Sequence, residues 1–275
     1  MLLFPADVMR PRRVDEHFAE EARAAREAGH PVALIDHDAA SRGDAEAAVA
    51  RVPAGDGAVY RGWMLGAGHY AALVRALAGR GVSMRTSAEQ YRRAHELPGW
   101  YAAIADQTPE SVWTSGDGRD DFDRAAAVLG SGPVVLRDYT KSMKHYWHEA
   151  AYVPDVADTA AAWTVASRLR ELRGDEFTGG FVLRRFEELG PAEVRTWWVA
   201  GQCRLITAHP DTPHDPPGEI GLAVLGAAIT ALDLPFVTAD LAPHADGRWR
   251  VVEIGDGQVS DRPRGVAAEA LITAL

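Results

Sequence analysis

With 275 residues, 47% hydrophobic and 25% charged, the chain can form two domains with ordinary cores, which excludes a disordered or fibrous protein. A formal net charge of −10 argues against a broad nucleic-acid surface, since phosphate binding needs clustered Lys and Arg. The single cysteine, Cys203, excludes an intrachain disulfide and favours a reducing, cytoplasmic setting; no apolar run reaches the roughly 20 residues of a membrane span, and apolar Met1 to Phe4 is too short for a signal peptide.

Met1 to Phe4 reads as a strand and Asp15 to Ala28 as a helix stopped by Gly29. Pro31 to Ile35 is wholly apolar, as buried parallel strands are. Asp44 to Val52 is a helix, Gly57 to Arg61 a strand, Tyr70 to Ala78 a helix and Val82 to Arg85 a short strand. This alternation predicts a small parallel α/β domain over residues 1–85. No Gly-x-Gly-x-x-Gly follows the first strand, so no dinucleotide site is expected there. Thr86 to Thr108 is helical and aromatic, interrupted at Pro98-Gly99, and bridges to a second domain over 86–275.

In that second domain a helix near Asp120 to Leu129 precedes a strand, Pro133 to Asp138. Asp158 to Arg173 is a helix and Gly180 to Phe186 a strand. Glu193 to Val199 and Gln202 to His209 form a hairpin turned at Ala200-Gly201. Gly218 to Leu232 is a helix, and Phe236 to Leu241 pairs with Arg248 to Ile254 across Asp246-Gly247. Antiparallel hairpins separated by helices indicate an α+β domain.

Three charged clusters carry candidate chemistry. Arg137, Lys141 and Lys144 follow an apolar strand; cations on such a loop suit triphosphate oxygens, and a solvated loop is the plain alternative. Alternation along Glu193-Val194-Arg195-Thr196-Trp197 puts Glu193, Arg195 and Trp197 on one face, either lining a cleft where Arg195 reaches a phosphate or forming a polar outer face with a cross-strand ion pair. Asp240 and Glu253 lie on neighbouring strands of the last hairpin. Carboxylates inside apolar strands need a partner or a cation, and oxygen-only ligands favour magnesium or manganese over zinc. His209 to His214 lacks helical histidine spacing and contains Pro210 and Pro213, so it reads as a loop rather than a zinc site. Trp197 and Trp198 read as packing.

Taken in order, Val135 to Trp147, Phe181 to Phe186, Glu193-Val194-Arg195 and Val251 to Ser260 resemble the ATP-grasp superfamily, and within it the uncharacterised clade named for two arginines and a lysine. The resemblance covers residues 86–275. It implies an ATP-grasp fold, two α+β lobes around ATP, preceded by the small parallel α/β domain. It implies that Lys141, with Arg137 or Lys144, holds phosphates. Leu183, Arg184, Arg185, Phe186 and Glu187 would form the hinge whose backbone bonds adenine, and Glu193 would serve ribose or hinge contacts. Arg195 would neutralise the γ-phosphate, and Asp240, Glu253 and Asp256 would bind magnesium (Mg2+, with Mn2+ possible in its place). The sequence departs from the common Glu-x-Asn ending, having Glu253-Ile254-Gly255-Asp256. The implied activity is a cytoplasmic carboxylate–amine or carboxylate–thiol ligase working through an acyl phosphate on a small molecule or peptide. A non-catalytic nucleotide-binding regulator, or phosphoryl transfer or end modification without ligation, is the alternative. Arg61, at the end of a strand before Gly62-Trp63, either holds a substrate carboxylate or sits beside a packed tryptophan.

Overall fold

The computed structural model describes residues 1–214 and 220–275. In chain order the elements are β1 (Leu2–Pro5), α1 (Ala19–Glu27), β2 (Val32–Ile35), α2 (His37–Ser41), α3 (Ala45–Val49), β3 (Gly55–Tyr60), α4 (Ala67–Gly79) and β4 (Val82–Met84). Then come α5 (Ala88–His95), α6 (Leu97–Ile104), β5 (Ser111–Trp113), α7 (Arg119–Leu129), β6 (Val134–Asp138), β7 (Tyr152–Val153), α8 (Thr159–Arg173) and β8 (Phe181–Arg185). The chain ends with β9 (Val194–Val199), β10 (Gln202–Ala208), α9 (Leu222–Ala231), β11 (Phe236–Pro243), β12 (Trp249–Asp256) and α10 (Ala268–Ala274). Gly218 and Glu219, expected to open the helix before Leu232, lie outside the described residues.

The chain divides into two compact units. One comprises Met1–Ala94, Ala192–Leu241 and Glu253–Leu275, the other His95–Pro191 and Ala242–Val252. The first unit holds a parallel sheet in the order β2-β1-β3-β4. β1 is apolar at every position because both of its faces are covered. Leu3 packs in a core with Ala48, Val49, Tyr70 and Leu73. Leu2 and Phe4, pointing the other way, share a second core with Phe18, Trp197, Phe236, Leu271 and Ile272. The N-terminal strands and the C-terminal helix are thus packed into one interior. The antiparallel sheet β10-β9-β11-β12 is the second sheet of this unit, and β11 and β12 continue from it into the other unit. Ala200 and Gly201 carry positive φ at the β9–β10 turn, as a tight two-residue hairpin requires.

The second unit contains the antiparallel sheet β5-β8-β6-β7. α7 and α8 cover it through Phe122, Leu129, Ala162, Ala166 and Leu169 against Leu136, Phe181 and Leu183. The expected helix break at Pro98-Gly99 falls earlier, at Glu96. Pro98 lies in the first turn of α6, where its missing N–H is not needed.

Candidate functional site

In the second unit β6 delivers a cation loop. Arg137 is nearly buried, and its guanidinium folds back on that loop, Nη2 donating to Thr140 O at 2.6 Å and Nε to Asp138 O at 3.3 Å. Asp138, with no exposed surface, shapes the loop. Its Oδ1 accepts from Thr140 N at 2.7 Å, Thr140 Oγ1 at 2.9 Å and Lys141 N at 2.7 Å, while Arg173 Nε donates to Oδ2 at 2.8 Å. An aspartate that bonds the backbone two and three residues on is an Asx turn; here it presents Lys141 to solvent, as Lys144 is also presented. The role of Asp138 has a local sequence signal, an acid closing an apolar strand two residues before a threonine, which the neighbouring cations overshadow.

The segment after Leu183 makes backbone bonds within its own unit. Arg185 N donates to Glu110 O at 2.8 Å and Phe186 N to Pro133 O at 3.0 Å, so base recognition by N–H groups cannot fall on these two residues. Arg184 is buried, with Nη1 on Val252 O at 2.5 Å and Nη2 on Val251 O at 2.8 Å and Thr108 Oγ1 at 2.6 Å. Arg185 bonds Ser131 O and Leu129 O, and Glu187 receives both arms of Arg250 at 2.6 and 2.7 Å. The side chains of Arg184, Arg185 and Glu187 are therefore framework. Phe186 lies edge-on to Tyr152, with ring centroids 5.3 Å apart, and Tyr152 stacks on Trp147 at 5.3 Å. These rings form an apolar surface beside the cation loop.

In the first unit the β9–β11 register sets Arg195 directly opposite Asp240. The two form a fork, Nε to Oδ1 at 2.7 Å and Nη2 to Oδ2 at 2.8 Å, with side chains only 11% and 8% exposed. This is the cross-strand ion pair expected of a polar face, but a buried one. Burial alone would push the Asp240 carboxyl up; hydrogen bonds and charge from Arg195, then from His209, outweigh it and bring it to about 2. Burial likewise opposes the charge on Arg195, yet Asp240, then Glu253 and Asp261, hold its pKa above the ordinary value. Arg195 also donates to Asp261 O at 3.0 Å and lies 5.9 Å from the centroid of the Trp197 ring, on the same strand face. Trp197 and Trp198 are buried packing residues.

Two expected site residues are placed elsewhere. Asp256 lies three residues after Glu253 on β12, so strand alternation turns the two to opposite faces. Asp256 is enclosed, its Oδ1 accepting from Gln258 N at 2.8 Å, and does not converge with Asp240 and Glu253. Arg61 has no exposed surface and does not face a cleft. Nε and Nη2 fork onto Glu21 at 2.8 and 3.0 Å, and Nη1 donates to the carbonyls of Gly257 at 2.5 Å, Gln258 at 3.0 Å and Ser260 at 3.1 Å. All its donor nitrogens are engaged, which makes it a structural joint rather than a holder of substrate. Gly255, standing where a Glu-x-Asn ending would have asparagine, has little room for a larger side chain. A Cβ there would lie 3.1 Å from Thr238 Oγ1. Among the described residues no three His, Cys, Asp or Glu side chains are grouped to hold a metal. The oxygen pair that remains, Asp240 and Glu253 on adjacent strands, has the ligand chemistry that would suit a magnesium-type ion rather than zinc.

Residues 128–275, more than half of the chain, match the model of a family described as an ATP-grasp domain, family 3 of its clade. The chain belongs to this ATP-grasp family. Its fold is similar to that of a RimK-domain ATP-grasp protein from Sphaerobacter thermophilus (TM-score 0.62, 18% identity, 100% of this chain and 98% of that one covered). It is also similar to the D-cycloserine synthetase DcsG (TM-score 0.63, 18% identity, 99% and 98% covered). A third similar structure is the ATP-grasp ligase PsnB, solved with a minimal precursor, Mg and ADP (TM-score 0.58, 14% identity, 99% and 96% covered). At these identities the likeness is one of fold. No curated protein matches the chain in sequence. Within this ATP-grasp chain His209 stands out as a residue that the sequence alone places in an ordinary loop. Its ring is buried against Arg195 and Asp240, and only the β9–β10 pairing, which sets Ala208 opposite Val194, brings it there. No described helix is long and apolar enough to cross a membrane.

Proposed function

We propose that this chain is an ATP- and magnesium-dependent ligase that joins a carboxylate to an amine or thiol, through an acyl phosphate, on a small molecule or peptide. The observation that carries the reading is the buried Arg195–Asp240 fork with Glu253 on the neighbouring strand. Phosphoryl transfer needs charge neutralisation and positioning rather than a protein nucleophile, and these are the residue types that provide both.

In the reaction a carboxylate oxygen takes the γ-phosphoryl group and ADP departs. The amine then attacks the carbonyl carbon, inorganic phosphate leaves, and the amine loses a proton. Arg195 forks onto the γ-phosphoryl oxygens, and Lys141, supported by Arg137 and Lys144, holds phosphate oxygens on a loop fixed by Asp138. Backbone groups near Leu183 to Glu187 and the Phe186 ring receive the base, and Glu193 serves the sugar. Asp240 and Glu253 would hold magnesium or manganese, which would supply positive charge to offset that of the phosphates. Arg195 engages both oxygens of Asp240, so a phosphate that drew the guanidinium toward itself would leave that carboxylate facing an ion with less competition for its lone pairs. A cationic guanidinium bonded to Asp240 and acted on by the charge of Glu253 supports the fit of this oxygen pair to a metal.

The test is thermal unfolding with a non-hydrolysable ATP analogue, with and without magnesium, followed by ADP release across a panel of carboxylates with hydroxylamine as trap. The expected result is a magnesium-dependent rise in midpoint and a carboxylate-dependent hydroxamate. ADP release without hydroxamate or joined product would replace ligation by simple phosphoryl transfer. Binding without turnover would favour a nucleotide-binding regulator, a reading supported by the closed Arg195–Asp240 pair. Absence of any nucleotide effect would remove all three.

A further inference from the structure

We propose that His209 is a positioning residue for Arg195 and Asp240, an inference that rests on the nucleotide and magnesium roles given to that pair above. His209 sits at the end of β10, directly after the strand that pairs with β9. Its residue exposure is 9%, and its ring is fixed on both sides. On the Nδ1 side Asp211 N donates at 3.1 Å and Glu193 Oε2 lies 3.4 Å away. On the Nε2 side Arg195 Nη2 approaches to 3.2 Å and Asp240 Oδ2 to 3.4 Å. The backbone adds a bond from His209 N to Glu193 O at 3.0 Å. The Nδ1 edge and the backbone N–H hold His209 to Glu193 and the loop, contacts that do not involve the Arg195–Asp240 fork.

That independence gives His209 its use. When Arg195 turns to phosphate, Asp240 loses the two hydrogen bonds that orient its carboxylate plane. Nε2 remains beside Oδ2 and can keep that plane aimed for an ion that Asp240 and Glu253 would hold. Residues that orient a metal-ligating group from behind change metal affinity or activity by roughly 10- to 100-fold when removed. His209 contacts no substrate in this scheme; it acts through its two charged neighbours.

The experiment measures the magnesium dependence of ATP-analogue binding, by calorimetry and by the shift in unfolding midpoint, for wild type, His209→Ala and His209→Gln. The midpoint without nucleotide is recorded for each. We expect His209→Ala to weaken the apparent magnesium affinity about 10-fold, and His209→Gln, whose amide can reach Asp240, to restore most of it. In an Arg195→Ala, Asp240→Asn background His209→Ala should have no further effect on magnesium dependence. Wild-type magnesium affinity in His209→Ala would overturn the proposal. So would equal losses in the Ala and Gln variants that follow the nucleotide-free midpoint, since that marks a merely structural residue. If the alanine variant does not fold, the imidazole nitrogen signals of His209 in wild type decide. They should shift when the magnesium–analogue complex is added, and an unchanged ring environment would overturn the proposal. A wild type that ignores magnesium and nucleotide altogether would instead sink the ligase reading, and the role of His209 with it.

Discussion

Asp240 and Asp256 are both buried, yet their surroundings act in opposite directions. Asp240 faces Arg195 and is brought from 3.8 to about 2. Its contribution to stability is present above the unfolded value and lost as pH falls from about 4 through 2. Asp256 has burial as its dominant influence; Gln258 and the charge of Arg61 offset it only in part, and its carboxyl is pushed from 3.8 to about 7. The sign is reversed for this group. Its contribution is full below the unfolded value and is lost as pH rises through about 7, on the order of 4 kcal/mol at about 1.4 kcal/mol per unit. Asp256→Asn should therefore flatten the decline in unfolding free energy between about pH 4 and 7, measured by urea titration at each pH. A wild-type slope retained in the variant would mean that the carboxylate is better solvated than its enclosure implies. Arg195→Ala removes the partner of a nearly enclosed Asp240 and should destabilise the nucleotide-free protein by roughly 3–5 kcal/mol. Asp240→Asn combined with Arg195→Ala should recover part of that loss, because no charge is then left buried. A midpoint unchanged in Arg195→Ala would show that water reaches the carboxylate.

Between elements, single residues act as joints. Arg61, just past β3, ties Glu21 of α1 to three carbonyls in the turn after β12. Arg61→Lys cannot reproduce the fork and should cost about 2 kcal/mol or more by leaving polar groups unpaired in the interior, read as a fall in unfolding midpoint. A substrate-holding arginine would leave the midpoint unchanged and alter only turnover. Gly257 sits in the same turn, where a Cβ would come within 2.5 Å of the Phe236 ring; Gly257→Ala should cost about 1–3 kcal/mol through overpacking. These joints mark how far a sequence can be read. β1, β2, α4, α8 and the β9–β10 hairpin announce themselves by apolar runs, helical periodicity and the Ala200-Gly201 turn, all local signals. β5 and β7 do not, being only three and two residues long, and β5 pairs with a strand distant in sequence, Ser111 lying opposite Arg184. The side-chain alternation that puts Arg195 and Trp197 on one face was legible; the identity of the residue across from Arg195 was not, because the β9–β11 register is decided by the sheet as a whole. Arg61 misled for the same reason. Nothing near it in sequence reveals Glu21 or the Gly257–Ser260 carbonyls.

At the scale of the molecule, chain order and packing order differ. Composition and strand–helix rhythm suggest cutting the chain near residue 85, but the compact unit containing the first 94 residues also takes in 192–241 and 253–275. The reason is the second core of that unit. Leu2, Phe4, Phe18 and Val59 from the N-terminal part bury against Trp197, Phe236, Leu271 and Ile272 from the C-terminal part. Each fully buried side chain of this kind is worth roughly 1.5–3 kcal/mol relative to exposure, and a folded domain has only about 5–15 kcal/mol of net stability. Separation would expose several such side chains on both pieces at once, along with the Glu21 carboxylate and its Arg61 partner's carbonyl bonds. A fragment of residues 1–94 should therefore lack a cooperative thermal transition, and both it and a fragment of residues 95–275, which keeps the core of the second unit, should bind a hydrophobic dye, while co-expression of the two should abolish the dye binding and give a soluble complex. An N-terminal fragment that unfolds cooperatively on its own would show that its first core, built from Leu3, Val49, Tyr60, Tyr70 and Leu73, is sufficient. The shared core would then be an interface between separable domains rather than the interior of one.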